Sequence, residues 1–186
     1  MREIVNTRLR RSVVLIGMMG AGKTAVGGQL ARMLGVRFLD SDDEIVKAAN
    51  MSIAEIFARD GEAFFRQKEA QVLARLLAGP PIVLSTGGGA FLNPENRHAI
   101  AQMGVSVWLK ADLDLLWSRV RHRNTRPLLR TADPKGTLAA LLAARAPVYA
   151  LADVTVEAIP GASIDATARR VLAALEARAD VLETGQ

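Results

Sequence analysis

The sequence predicts an α/β fold of three layers, in which a five-stranded parallel sheet lies between two layers of helices. Short apolar runs, typical of buried strands, alternate along the chain with longer segments that have a helical repeat of apolar residues. Such alternation predicts a parallel sheet with helices on both faces. The 186 residues, 50% of them apolar, suit one domain spanning 1–186 with a core extending roughly over 12–178.

Five short apolar segments are the predicted strands, and polar or glycine residues follow each of them. They are Ser12–Ile16, Val36–Leu39, Pro81–Ser85, Val105–Leu109 and Val154–Val156. Segments with a helical pattern separate or follow these strands, at Ala25–Leu34, Asn93–Met103, Asp112–Val120, Leu138–Val148 and Ser163–Ala177.

Two segments depart from this simple alternation. Residues 41–78 are predicted to form a helical insertion beside the sheet, in which Ser52 and Glu55 have the spacing of a capping box and Gly61 separates two helical pieces. Residues 121–135 are polar, rich in arginine and without an apolar repeat. Because loops of this length are usually lids or other functional segments, we expect a mobile lid at 121–135.

The first strand runs directly into Gly17–Thr24, which has the phosphate-binding pattern G-x-x-x-x-G-K-[ST]. Glycines let such a loop curl so that backbone N–H groups point at phosphate oxygens, and the helix that follows places its positive end there. A glycine-rich turn without function is disfavoured by the strand before it and the helix after it. The sequence therefore predicts a P-loop fold that binds a nucleoside triphosphate. Its predicted contacts are Gly20, Ala21, Gly22, Lys23, Thr24 and Ala25.

The rest of the chain favours a kinase over a GTPase or a mechanical ATPase. It has no N-K-x-D guanine-specificity sequence, and the strand Ile82–Ser85 does not end in an acidic pair that could activate water. A lid with several arginines is typical of small-molecule kinases, in which closure excludes water and brings positive charge to the transferring phosphoryl group.

Six ordered motifs, spread over roughly Ser12 to Arg178, resemble those of the shikimate kinase family. They are Gly17–Thr24, Phe38–Asp42, Gly61-Glu62-x-x-Phe65-Arg66-x-x-Glu69, Thr86–Gly89, Arg126–Leu129 and Arg145-Ala146-Pro147-x-Tyr149. The resemblance implies an enzyme that transfers the ATP γ-phosphate to the 3-hydroxyl of shikimate, giving shikimate 3-phosphate and ADP, in the pathway to chorismate and the aromatic amino acids. It also implies ATP and Mg²⁺ as the nucleotide and the metal.

The resemblance further implies roles for individual residues. Asp40 acts near Mg²⁺ together with Thr24, whereas Asp42 binds the substrate hydroxyls and can accept a proton. Arg126 lies on the ATP phosphates when the lid closes, so that Lys23, Asp42 and Arg126 are the catalytic residues. The arginines of the substrate site bind a carboxylate, and its glycine offers a backbone N–H. The substrate-binding residues are Asp42, Arg66, Gly88 and Arg145.

Some of these residues have a structural explanation as well. The acidic run Asp40–Glu44 is also what a helix N-terminus favours. The three glycines at 87–89 also suit a tight turn between a strand and a helix. The pattern does not decide whether Arg121 or Arg123 packs on adenine.

Two rival functions are compatible with the nucleotide motif. One is a kinase for gluconate or for a nucleoside monophosphate, and the other is a catalytically silent nucleotide-binding partner. Asp42 and the two arginines favour a hydroxylated carboxylate as substrate, and the presence of both Lys23 and Asp40 argues against a silent protein.

Composition narrows the partners and the compartment. The formal charge of +5 is compatible with nucleic acid, but the basic run from Arg119 to Arg130 has no interleaved aromatic residues, so we expect no nucleic-acid partner. No apolar run reaches the ~18 residues that span a bilayer, so we expect no membrane partner. The sequence has no cysteine, which fits a reducing cytoplasm. We expect a cytoplasmic protein with residues 1–11 as a frayed terminus, and the resemblance to the family implies a monomer.

Overall fold

Five parallel strands form the central sheet of the computed structural model, which describes residues 7–123 and 126–184. The spatial order of the strands is β3-β4-β2-β5-β6, which confirms the predicted five-stranded parallel sheet. The strands are β2 Ser12–Ile16, β3 Phe38–Asp40, β4 Val83–Ser85, β5 Gly104–Lys110 and β6 Val154–Glu157. All five residues of β2 are buried, because helices cover both faces of the sheet at its centre.

Seven α-helices accompany the sheet in the part of the chain that the structure describes. They are α1 Lys23–Leu34, α2 Ser41–Ala49, α3 Ile53–Leu77, α4 Pro94–Met103, α5 Leu113–Val120, α6 Pro134–Tyr149 and α7 Ile164–Glu176. Helices α1 and α7 pack together on one face of the sheet, and α3 packs with α4 on the other. None of these helices is long and apolar enough to cross a membrane, within the residues that the structure describes.

The capping signals in the sequence set the helix boundaries. Ser52 and Glu55 form the expected capping box before α3. Gly61 has φ 83° and interrupts the helical backbone of α3, as the sequence pattern predicts. Helix α6 begins four residues before the predicted Leu138, because the Asp133 carboxylate accepts from the Gly136 N–H and Pro134 occupies the first turn. The C-terminal end of the predicted lid is therefore helical.

The expectation of a frayed N-terminus is wrong for residues 7–11. Strand β1, Thr7–Leu9, pairs antiparallel with β7, Leu182–Thr184, in a separate two-stranded sheet. Leu9 and Val181 are buried, so the core extends beyond the predicted limits of 12 and 178 at both ends. Arg10 forms an ion pair with Glu183 at 2.8 Å, so this basic residue neutralises a carboxylate far along the chain instead of standing free in solvent.

The central position of β2 determines where a ligand can bind. Strand β4 lies on one side of β2 and β5 on the other: the connection that leaves β2 runs to β3 on the β4 side, whereas the connection that leaves β4 crosses to β5 on the other side. In open parallel sheets, a crevice forms at the carboxyl end of the strand where the order reverses. The loop that follows β2 is Gly17–Gly22, and it lies at this crevice.

Candidate active site

The loop between β2 and α1 has the backbone shape of a phosphate cradle. Gly17, Gly20 and Gly22 have φ values of 142°, 82° and 96°, which side chains rarely allow. Gly22 is the N-cap of α1, and the first turn of that helix contains no acidic residue. A negatively charged group in the loop therefore meets free N–H groups and the positive end of the helix without an opposing carboxylate on α1.

Lys23 lies within the curl of this loop. Its Nζ donates to the carbonyl oxygens of Gly17, at 2.7 Å, and Met18, at 3.0 Å. The pKa of Lys23 is lowered to about 8, chiefly by burial and then by the charge of Arg126, against the opposing effect of nearby carboxylates. An ammonium so held, beside a second cation, is suited to receive the negative charge of a phosphate group.

A cavity of about 630 Å³ opens above the loop. Its walls include Asp40 and Asp42, the end of β4 and the start of α7. Three arginines also line it, Arg119, Arg123 and Arg126. The cavity is large enough for a nucleotide.

The arginines around the cavity refine the sequence prediction. Arg123 lines the cavity and Arg121 does not, which favours Arg123 of the two residues considered for the base. Sequence reasoning missed Arg119, whose Nη1 donates to the carbonyl oxygen of Gly20 at 3.0 Å. Arg119 occupies the last turn of α5, seven residues before Arg126. Its place in the same basic run as Arg126 was the sequence feature that could have identified it. Asn124 and Thr125, which belong to the predicted lid, lie outside the described residues.

The carboxylates that follow β3 have separate partners. Asp40 accepts from the Thr24 hydroxyl through Oδ2, at 3.2 Å, and from the Asp42 backbone N–H through Oδ1, at 2.9 Å. Asp40 is therefore the N-cap of α2 and also a neighbour of the phosphate loop, so the structural explanation of this residue is confirmed and its role near Mg²⁺ stays a prediction. Burial raises the pKa of Asp42, and the charge of Asp40 raises it further, while Lys23 opposes both.

The predicted substrate residues meet at the glycine loop that follows β4. A Cβ atom built on Gly87 would lie 3.1 Å from Asp42 Oδ1, one on Gly88 would lie 2.9 Å from Arg145 Nη1, and one on Gly89 would lie 2.5 Å from Arg66 Nη2. None of these three glycines has a positive φ. The alternative of a turn that needs glycine for its backbone shape is therefore disfavoured, because the glycines leave room for three ionisable side chains.

Arg66 is fixed before any ligand binds. Its Nη1 donates to Glu69 Oε1 at 2.9 Å, and the Glu69 side chain is only 2% exposed. Burial raises the pKa of Glu69, and the hydrogen bond and charge of Arg66 oppose that rise. Arg66 and Arg145 contact the glycine loop and do not line the nucleotide cavity, whereas Asp42, Gly87 and Gly88 line it. The site thus has a nucleotide side and an adjacent acid and guanidinium side.

Comparison with known proteins decides the family. A sequence model of the shikimate kinase family matches residues 19–176. Shikimate kinases from Cereibacter sphaeroides and Ruegeria pomeroyi are each 65% identical to the chain, over 98% and 94% of its length and 91% and 90% of theirs. The chain belongs to the shikimate kinase family. It is therefore an ATP-dependent kinase.

Solved structures of the family have the same fold. A shikimate kinase from Acinetobacter baumannii, solved in complex with shikimate, superposes with a TM-score of 0.84 at 39% identity, covering 90% of this chain and 93% of that one. A gluconokinase from Sinorhizobium meliloti superposes with a TM-score of 0.61 at 20% identity. That second likeness shows the fold alone.

Proposed function

We propose that this chain transfers the γ-phosphate of ATP to the 3-hydroxyl of shikimate, giving shikimate 3-phosphate and ADP. The observation that carries the proposal is the convergence of Asp42, Arg145 and Arg66 on one glycine loop beside the phosphate loop. A carboxylate and two guanidiniums match a substrate that has hydroxyl groups and a carboxylate. The A. baumannii relative was solved with shikimate bound, which supports the same substrate here.

Thr24 and Asp40 are the proposed ligands of Mg²⁺. Thr24 Oγ1 and Asp40 Oδ2 lie 3.2 Å apart at the edge of the nucleotide cavity. No group of three or more acidic, histidine or cysteine ligands occurs among residues 7–123 and 126–184, which fits a metal held by one hydroxyl, one carboxylate and the phosphates of the nucleotide. Bound there, Mg²⁺ would offset negative charge on the β- and γ-phosphates.

Asp42 orients the acceptor hydroxyl. Its carboxylate lies against Gly87 and on the wall of the nucleotide cavity, so that a hydroxyl bound to it faces the phosphate loop. Its raised pKa favours acceptance of the proton that the hydroxyl loses. In phosphoryl transfer, orientation of the nucleophile contributes more than strong deprotonation.

The two arginines bind the substrate carboxylate from adjacent positions of the glycine loop. Arg66 is held by Glu69 beside Gly89, and Arg145 lies beside Gly88. The planar fork of each guanidinium can donate two parallel hydrogen bonds to a carboxylate, which lysine cannot do. The backbone N–H of Gly88 is a further donor to a substrate oxygen. Residues 41–78, which carry Asp42 and Arg66, then form a substrate-binding part of one kinase domain, 1–186.

Residues 121–135 close over the nucleotide as a lid. Arg126 lines the cavity, and its buried Nε has no hydrogen-bond partner within the described residues. A buried guanidinium nitrogen without a partner is costly, and a phosphate oxygen would satisfy it. Closure also excludes water, so that the substrate hydroxyl attacks in place of hydrolysis.

The oligomeric state and the compartment are the last parts of the proposal. All residues assigned to the site come from one chain, so we infer that a monomer is sufficient for activity. The sequence has no cysteine and needs no oxidising compartment, which supports the cytoplasm.

ADP release with Mg²⁺-ATP tests the proposal directly. We expect shikimate to stimulate release strongly, whereas gluconate and nucleoside monophosphates leave it at the level without acceptor. Stimulation by one of the other acceptors, or by none of them despite measurable ATP binding, would overturn the proposal.

A further inference from the structure

Tyr149 is the only tyrosine of the chain, and it is fully buried at the C-terminal end of α6. Its hydroxyl donates to the carbonyl oxygen of Gly88 at 2.5 Å. The Met18 sulfur of the phosphate loop lies 3.8 Å from the Tyr149 hydroxyl oxygen. The Tyr149 hydroxyl is therefore at the junction of α6, the glycine loop and the phosphate loop.

Arg145 and Tyr149 both lie against the backbone of Gly88. They are four residues apart on α6 and so lie on one face of that helix. From a Cβ built on Gly88, Arg145 Nη1 is 2.9 Å away and the Tyr149 oxygen 3.7 Å away. Burial raises the pKa of the Tyr149 hydroxyl, while the charge of Arg145 and a hydrogen bond with it oppose that rise. The neutral hydroxyl can accept from the guanidinium while it donates to Gly88.

Fixing one carbonyl fixes a neighbouring donor. The Gly88 C=O and the Gly89 N–H belong to one planar peptide unit and point in opposite directions. With the carbonyl held by Tyr149, the Gly89 N–H is directed away from α6. A loop of three glycines has little conformational preference of its own, so an external hydrogen bond has a large effect on its orientation.

We propose that Tyr149 is a positioning residue, whose hydroxyl orients the Gly88–Gly89 peptide and the Arg145 guanidinium for the substrate carboxylate. The inference rests on the proposed function, since it assigns Tyr149 to the shikimate side of the site. The ring has no role of this kind, because its contact with Trp108, at a centroid distance of 5.9 Å, is one of core packing. The hydroxyl is the group to remove.

Tyr149→Phe removes the hydroxyl and keeps the ring. We expect the KM for shikimate to rise about tenfold while kcat and the KM for ATP change less than about twofold, since one hydrogen bond to a positioned group is lost. A rise of equal size in both KM values, or an unchanged KM for shikimate, would overturn the proposal. Ser106→Ala is the matched control, because it removes a buried hydroxyl that is hydrogen-bonded to Asp153 and does not line the nucleotide cavity, and we expect it to leave both KM values unchanged.

An acceptor without the carboxylate separates positioning from general destabilisation. With shikimate amide in place of shikimate, the ratio of the Tyr149→Phe and wild-type KM values should fall from about tenfold to below about twofold, because the carboxylate contact is then absent from both enzymes. A ratio that stays at about tenfold would mean that the hydroxyl acts only on the fold, and would overturn the proposal.

A binding measurement on the wild-type chain covers the case in which the variant does not fold. Incorporated 3-fluorotyrosine gives one ¹⁹F resonance, since Tyr149 is the only tyrosine. We expect shikimate to shift this resonance at saturation and shikimate amide to shift it less. No shift with shikimate that demonstrably binds would overturn the role of Tyr149 alone. Absence of shikimate binding and turnover would instead contradict the proposed function.

Discussion

The phosphate loop and the glycine loop use the same residue for different physical reasons. In the phosphate loop, Gly17, Gly20 and Gly22 have positive φ, so the backbone shape itself requires glycine. At 87–89 the backbone is accessible to any residue, and it is the space beside the loop that excludes a side chain. The requirement in the phosphate loop is local, and the sequence pattern predicts it. The second requirement depends on side chains from α2, α3 and α6, and it becomes visible only in the folded protein.

The largest expected effect is on the nucleotide side, where one cation is central. Lys23→Met should lower kcat by about 10³-fold or more, because it removes the charge that the loop presents to the transferring phosphoryl group. Steady-state ADP release measures it. Lys47→Met is the matched control, since Lys47 is exposed and pairs only with Glu44, and turnover near wild type is expected for it. Substantial turnover by Lys23→Met would mean that the phosphate loop does not hold the reacting nucleotide.

Removing Arg66, a cation on the acid and guanidinium side of the site, should change different kinetic constants. Arg66→Ala should raise the KM for shikimate about 50-fold and leave the KM for ATP nearly unchanged, because Arg66 contacts the glycine loop and not the nucleotide cavity. Arg59→Ala is a suitable control, since Arg59 is an exposed residue of the same helix. If both KM values rose together under Arg66→Ala, the two sides of the site would not be separable.

A pair of glycine substitutions tests the comparison itself. Gly22→Ala forces a side chain onto a backbone with φ 96°, which costs roughly 1–2 kcal/mol of stability, and it should lower Tm and raise the KM for ATP about tenfold. Gly88→Ala imposes no such backbone strain but displaces Arg145, and it should raise the KM for shikimate about tenfold with a smaller loss of Tm. Equal losses of Tm in the two variants would show that the two loops do not need glycine for different reasons.

The smallest expected effect is the pH dependence of ATP affinity. The pKa of Lys23 is lowered to about 8 in the free enzyme, so its ammonium loses the proton as the pH rises through that value. Bound phosphates favour the charged form, hence ATP binding takes up a proton at high pH, and ATP affinity should fall about fivefold between about pH 7 and pH 8.6. Calorimetry in buffers of different ionisation enthalpy measures the proton uptake. Uptake that persists unchanged in Lys23→Met would assign the effect to another group.

The sequence predicted the parts of the fold that depend on neighbours along the chain. The apolar runs located the five strands of the sheet, and the pattern Gly17–Thr24 located the phosphate loop, because both are set by local periodicity and local backbone shape. Strand β1 was missed because its partner, Leu182–Thr184, is far away in sequence, and because Arg8 and the arginines beside the strand resemble solvated charges. Arg119 was missed for a related reason: its partner is a carbonyl of the phosphate loop, 99 residues earlier.

The pairing of β1 with β7 also has a consequence for biosynthesis. During synthesis Arg10 leaves the ribosome well before its ion-pair partner Glu183, which follows 173 residues later. Until then Leu9, which is buried in the folded protein, has no strand to pair with, although the sheet and the phosphate loop can already be formed. A nascent chain that stops before Leu182 therefore displays an apolar residue and an open strand edge near its N-terminus. These are the features by which chaperones and proteases recognise unfinished proteins.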